Sequence, residues 1–187
     1  MNQVKFNLEQ PVTGFTIQDI PFDTFLADLK ARMKNVFHVR ADINQLAAKR
    51  GMPPFVMREI MSLNPLATGI PRRFGGRGCR IDETLALLAA ASYESLALSL
   101  TFGINSALFL QPVGKYAQEE AKGPIFDRFL NHQNIGGLMI TEPGFGSDAL
   151  NMQTSFTNLG DRYKLQGTKH WAGLTGWAEY WLLTARE

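Results

Sequence analysis

The chain has 187 residues, 45% of them hydrophobic and 19% charged, with a net charge of +2. This balance is typical of a globular protein rather than a disordered chain, and so small a charge gives no support for nucleic acid or an anionic membrane as a partner. Cys79 is the only cysteine, which excludes an intrachain disulfide and a cysteine zinc site and favours a reducing compartment, the cytoplasm.

The first half of the sequence predicts helices. Residues 1–20 read as an irregular arm of mixed polarity without the apolar core of a signal peptide. Apolar residues recur at helical spacing over 22–36, and further helices are expected over 42–49 and 53–64. No apolar run approaches the length of a membrane span, and the three histidines lie too far apart to suggest a metal site.

A loop and the most apolar helix come next. Residues 65–80 are rich in glycine and arginine, which allows either a basic patch for an anion or a solvated turn, and the turn is favoured. Residues 82–102 are apolar nearly all round and predict a central buried helix. Within it, Glu94 either faces solvent, pairs with a base or is functional. Two more helices are expected over 104–113 and 119–129, followed by a turn over 131–137.

The stretch from 141 to 148, Thr-Glu-Pro-Gly-Phe-Gly-Ser-Asp, separates the helical half from a half with strand periodicity. Pro143 fixes its own φ, whereas Gly144 and Gly146 permit positive φ. Such a backbone can direct several N–H groups at one point, which suits an anion or a polar ring edge. The alternative is a plain connecting loop.

Alternation with period two follows. It predicts a hairpin around the turn at 158–161, a strand that continues through 169–171, and a last strand over 180–185. The predicted fold class is therefore α+β: an all-α helical domain over 1–137, then the first strands of an incomplete β-barrel or sandwich over 138–187. So few strands need further strands or a partner to cover them.

Three motifs together resemble the acyl-CoA dehydrogenase family of flavoenzymes. Residues 70–78 are similar to the family's Pro-x-x-Tyr-Gly-Gly-x-Gly loop, with Phe74 in place of the tyrosine, and residues 141–148 match Thr-Glu-Pro-x-x-Gly-Ser-Asp in full. Residues 163–171 resemble the strand that ends in the flavin-contacting tryptophan. The motifs keep the family's order and separations across about residues 20–187.

The resemblance implies FAD as the cofactor and no metal. The residues it implies for cofactor contact are Leu138, Ile140, Thr141, Gly146, Ser147, Trp171 and Gly173. It also implies that Ser147 borders the acyl-CoA thioester and that Ile104 and Asn105 wall the acyl pocket. Leu138 and Gly173 depart from the family pattern, since many members carry an aromatic or another residue at the first position and a flavin-contacting threonine at the second.

The activity implied by the resemblance is oxidation of acyl-CoA at its CH–CH bond. A glutamate removes the α-proton, the β-hydride passes to flavin N5, and the electrons go to an acceptor of the electron-transfer flavoprotein type. A homo-oligomer, dimer or tetramer, is implied for the full-length family member. Because the family's catalytic glutamate lies in a C-terminal four-helix domain, the resemblance implies that this chain alone lacks the base and is inactive, and Glu142 is not that base.

Two alternatives stay open. The chain could be a non-catalytic fragment or module that needs a partner chain. It could also belong to an acyl-CoA oxidase or flavin monooxygenase, which share the scaffold.

Overall fold

The computed structural model describes residues 16–42, 44, 46 and 51–187. Helices and strands follow one another in the order that the sequence predicts, so the α+β fold class is confirmed. The helices are α1 Phe22–Asn35, α2 Pro54–Met61, α3 Ile81–Glu94, α4 Leu96–Tyr116 and α5 Glu119–Asn131, and the strands are β1 Gly136–Met139, β2 Ser155–Asn158, β3 Tyr163–Gln166 and β4 Tyr180–Leu183. The predicted helix over 42–49 and most of the predicted arm lie outside the described residues.

Helix α1 forms where the apolar spacing predicts it. Phe25, Leu29 and Met33 are buried on its inner face, and the helix continues into a π-helical turn, Val36–Arg40. Asp23 lies in the first turn and Lys34 in the last, which suits the helix dipole. The buried face joins a core shared by the helices, whose largest fully buried side chains include Phe102, Phe126 and Phe129.

The prediction of one continuous helix over 82–102 is wrong, because Ser95 divides the segment. Ser95 has an extended backbone (φ −159°, ψ 117°), and its hydroxyl accepts a hydrogen bond from the Leu98 N–H at 3.3 Å. Serine favours this N-cap position because it satisfies a donor that the first helical turn leaves free. Two helices, α3 and α4, therefore replace one.

Helix α4 in turn joins two helices that the sequence analysis separated at Gly103. Its centre, Ile104–Leu110, is π-helical, and Gly103 has helical dihedrals. The resulting 21-residue helix has a mean hydropathy of 1.4 over its most apolar window and is long and apolar enough, by length and composition, to cross a membrane, contrary to the sequence analysis. Half of its most apolar window is buried inside the protein, as in a core helix, so this is weak support for a membrane span.

The loop after α2 is not the solvated turn favoured from the sequence. Arg77 is only 5% exposed, and its Nε donates to Glu83 Oε2 at 2.8 Å. A second guanidinium nitrogen of Arg77 donates to the carbonyls of Ile17 and Ile20 at 2.7 and 2.9 Å. Since a buried charge must be paired, these contacts tie the loop and the segment before α1 into the helical core.

The strands form two small sheets. β1 pairs with β4 in parallel, from Gly136 opposite Tyr180 to Met139 opposite Leu183. The turn predicted over 131–137 is thus too long, since β1 begins at Gly136. β2 and β3 form the predicted antiparallel hairpin.

The prediction that the hairpin strand continues through 169–171 is wrong. β3 ends at Gln166, and Trp171 has a left-handed backbone (φ +58°) that no strand adopts. The chain instead crosses to β1, where the His170 N–H donates to the Thr141 carbonyl at 2.8 Å. This crossing brings two of the motifs together.

Candidate functional site

A cleft of about 240 Å³ lies between helix α4, the end of β1 and the loop after β3. Its walls are mostly apolar, with one hydroxyl group and one imidazole. The lining residues are Ile104, Leu108, Leu138, Ile140, Thr141, His170, Trp171 and Gly173. Most of the residues predicted for cofactor and substrate contact thus meet here, although they come from three separate segments.

Three predicted residues lie elsewhere. Gly146 and Ser147 are exposed on the loop after β1 and do not line the cleft. Asn105 is fully buried, and its side chain donates to the Thr101 carbonyl at 2.8 Å and accepts from the Gly136 N–H at 2.7 Å. Asn105 therefore holds β1 against α4, while the acyl-CoA roles predicted for Gly146 and Ser147 stay predictions.

Trp171 is the most unusual residue of the cleft. Its side chain is 81% exposed, and its positive φ is uncommon for any residue other than glycine. Strained backbone of this kind persists where the surrounding structure holds it, and it clusters at binding sites. The indole therefore presents an aromatic plane to solvent at the edge of the cleft, where a flat ring can stack.

The backbone around Trp171 is held by a buried ion pair. Lys169 Nζ donates to Glu142 Oε1 at 2.8 Å, to the Ile140 carbonyl at 3.0 Å and to Thr184 Oγ1 at 3.2 Å. The two charged side chains are only 5% and 3% exposed. Because Lys169 lies two residues before Trp171 and binds the carbonyl of Ile140, the pair fixes one cleft wall relative to the other.

Glu142 acts as a charged carboxylate that stabilises the fold. Burial raises its pKa, but the hydrogen bonds from Lys169 and from the backbone N–H groups of Gln153 and Thr154 outweigh burial and lower the pKa to about 2. A carboxylate held this far below its ordinary value keeps its charge and is a poor proton acceptor. This agrees with the sequence-based interpretation that Glu142 is not a catalytic base.

The π-helical segment of α4 supplies the opposite wall. Ile104 and Leu108 face the cleft, whereas Phe109 is buried and stacks on Phe129 with ring centroids 5.1 Å apart. π-Helical turns are rare and frequently occur at functional sites. Sequence periodicity offered no signal for this one, because the apolar pattern of the helix is continuous.

The sequence analysis missed two residues of the cleft wall, Leu108 and His170, and His170 is the polar one. It was treated as an ordinary histidine, although it stands between Lys169 and Trp171 of the third motif. Its ring stacks on Trp171 with centroids 4.7 Å apart and planes inclined by 23°. The position inside a motif was the only signal that could have identified it.

Other clefts differ in character. An apolar groove of about 360 Å³ shares Ile104 with the first cleft and continues along Leu100, Leu174 and Trp177. A cavity of about 660 Å³ between α1 and α3 contains none of the residues predicted for cofactor or substrate contact. Within the described ranges, no three His, Cys, Asp or Glu side chains converge on a possible metal position.

Known proteins resemble this chain along most of its length. Residues 31–133 match the acyl-CoA dehydrogenase N-terminal domain, and residues 137–187 match the acyl-CoA dehydrogenase middle domain. Among curated proteins, the probable medium-chain specific acyl-CoA dehydrogenase 2 of Caenorhabditis briggsae mitochondria is 30% identical over 131 residues, 70% of this chain and 32% of that protein. The mitochondrial isovaleryl-CoA dehydrogenase of Bos taurus is 28% identical over 114 residues, 61% of this chain and 27% of that protein.

The fold agrees as well. An acyl-CoA dehydrogenase from Bacillus anthracis, solved in complex with FAD, superposes with a TM-score of 0.73 at 21% identity, covering 93% of this chain and 31% of that one. The chain spans about a third of the length of the relatives it matches. Since the N-terminal domain family alone accounts for more than half of its residues, the chain belongs to the acyl-CoA dehydrogenase family.

Proposed function

We propose that the protein acts as an FAD-dependent acyl-CoA dehydrogenase-like oxidoreductase on the CH–CH bond of acyl-CoA thioesters. The observation that carries this proposal is the cleft in which the end of β1, the loop at 169–173 and the π-helical segment of α4 meet around Trp171. Family membership supports the reaction class, and the cleft supports a contribution of this chain to binding the flavin ring.

The residues of the cleft suit the ring of a flavin. The volume of about 240 Å³ lies below the range of about 300–1,000 Å³ that holds whole drug-sized ligands, so the full dinucleotide would extend beyond this cleft. Ile104 and Leu138 provide apolar walls, Trp171 provides a stacking plane, and the Thr141 hydroxyl group can hydrogen-bond to a polar ring edge. When bound, FAD supplies the two-electron acceptor for oxidation of the substrate.

The chain's own residues bind and orient. Trp171 packs against one face of the ring, and such a contact contributes about 1 kcal/mol beyond area burial. The ion pair of Lys169 and Glu142 holds the backbone that carries Trp171 at a fixed position relative to Ile140. None of the residues that line the cleft is a carboxylate, so we assign the role of base to none of them.

The neighbouring groove is our candidate for the acyl chain. It is apolar, holds about 360 Å³ and meets the first cleft at Ile104, the residue that the sequence analysis placed in the acyl pocket. An acyl chain in this groove would bring its thioester end toward the ring. We further propose a flavoprotein electron acceptor, a homo-oligomeric assembly and a reducing compartment.

Flavin uptake and substrate reduction test the proposal. The protein expressed from its complete reading frame should purify with a flavin absorbance band, and the band should bleach when acyl-CoA is added without oxygen. Trp171→Ala should weaken FAD binding at least about five-fold, because the stacking alone is worth about 1 kcal/mol and the buried area is lost as well. Tyr163→Ala removes a similarly exposed ring (67%) outside the cleft and should leave binding unchanged. Colourless protein that takes up no added FAD would overturn the proposal.

A further inference from the structure

His170 is the one ionisable side chain in the cleft wall, as far as the described residues extend. Helix α4 contributes only Ile104 and Leu108 to the wall, and β1 with its continuation contributes only apolar residues and Thr141. The neighbouring Lys169 points inward and is paired with Glu142 at 2.8 Å, whereas His170 is exposed. Among the described residues, a positive charge on His170 would therefore be the one charge in the cleft wall.

The imidazole of His170 contacts an aromatic ring rather than a polar side chain. The ring of His170 stacks on Trp171, and in the described part of the chain no ion pair or side-chain hydrogen bond engages the imidazole. Its backbone N–H, by contrast, is fixed to the Thr141 carbonyl at 2.8 Å, which sets the position of the residue. The ring is thus anchored by its backbone and held over the indole.

A charge in this place has two physical effects. Histidine is the side chain whose charge ordinarily changes between about pH 5 and 8. Opposite unit charges about 4–8 Å apart at a water-exposed site change an equilibrium constant by about two- to five-fold. A positive charge beside a flavin ring also favours the reduced, negatively charged ring over the oxidised one.

We propose that His170 is a positioning residue that backs Trp171 and, on gaining a proton, increases the preference of the site for reduced flavin. The proposal rests on the proposed FAD function and adds to it a dependence on pH that comes from a residue of this chain. The flat ring of His170 positions Trp171, and its charge makes the preference for reduced flavin depend on pH. Variants can separate the two contributions.

Redox titration of the FAD-loaded protein, expressed from its complete reading frame, tests the proposal. The quantity measured is the ratio of affinities for reduced and oxidised FAD at about pH 6 and about pH 8. His170→Phe keeps a flat ring without the charge, and His170→Gln serves as a second neutral replacement. His132→Phe is the matched control, since His132 is also exposed but does not line this cleft.

The wild-type ratio should rise about two- to five-fold more between pH 8 and pH 6 than that of either His170 variant. The His132 variant should behave as the wild type. If FAD binds but both His170 variants keep the wild-type pH profile, the role of His170 is overturned while the proposed function stands. If the wild-type protein takes up no FAD, both proposals are overturned.

Discussion

Replacing Gly136 with alanine should displace the strand that carries the cleft wall. A Cβ at Gly136 would lie 2.5 Å from Cγ of Phe109 and within 2.8 Å of two further ring carbons, whereas ordinary contact begins at 3.4 Å. Phe109 cannot turn away, because it is 3% exposed and stacked on Phe129. β1 must therefore move away from α4 by roughly 1 Å, since a packed interior does not absorb such an overlap.

The cost follows from overpacking. Inserting a methyl group into a filled core destabilises a protein by about 1–3 kcal/mol. For a chain of this length, each kcal/mol lowers the melting temperature by about 2–4 °C, so Gly136→Ala should lower it by roughly 2–12 °C. FAD binding should weaken as well, because Leu138 moves relative to Ile104.

Thermal and urea unfolding followed by circular dichroism measure the loss. Gly103→Ala is the control, because Gly103 lies inside α4 with helical dihedrals and its added Cβ would make only an ordinary contact, 3.7 Å from Cδ2 of Leu88, so the same substitution should stabilise by about 0.5–1 kcal/mol. Phe109→Leu combined with Gly136→Ala should lose less than the sum of the single losses, by about 0.5–3 kcal/mol. A Gly136→Ala protein as stable as the wild type, or strict additivity in the double variant, would refute the proposed contact.

Two further predictions concern the buried charges. Glu142 has a pKa of about 2 in the folded protein against 4.5 as its reference value, so the stability it contributes should be complete above about pH 4.5 and should be lost as the pH falls toward 2. Urea unfolding across this range should show that loss in the wild type and a flatter profile for Glu142→Gln, and identical slopes would contradict the assignment. Arg77→Met removes the buried partner of Glu83, which keeps only the exposed Arg80 at 3.8 Å, and should cost about 3–5 kcal/mol of unfolding free energy. Arg73→Met removes an arginine whose side chain is 59% exposed and should cost at most about 1 kcal/mol, so equal losses would argue against burial of the Arg77 pair.

Local patterns in the sequence located several helices and strands and indicated the family. The apolar spacing over 22–36 located α1 because the buried side chains Phe25, Leu29 and Met33 fall on one helical face. Alternation located the β2–β3 hairpin, since successive side chains of a strand point to opposite faces. The three motifs, taken in order, indicated the family and named most of the residues that line the cleft.

Only the tertiary structure decided the contacts that assemble the site. Lys169 and Glu142 are 27 residues apart, and Asn105 is 31 residues from Gly136, so no periodicity within either segment reveals that they meet. Composition likewise suggested that Arg77 faces solvent, whereas its burial depends on a carboxylate and two carbonyl groups supplied by other segments. Periodicity reports which face of an element is buried, but the partner on that face, and hence the position of Trp171 and His170 in the cleft, is settled by the packing of segments distant in sequence.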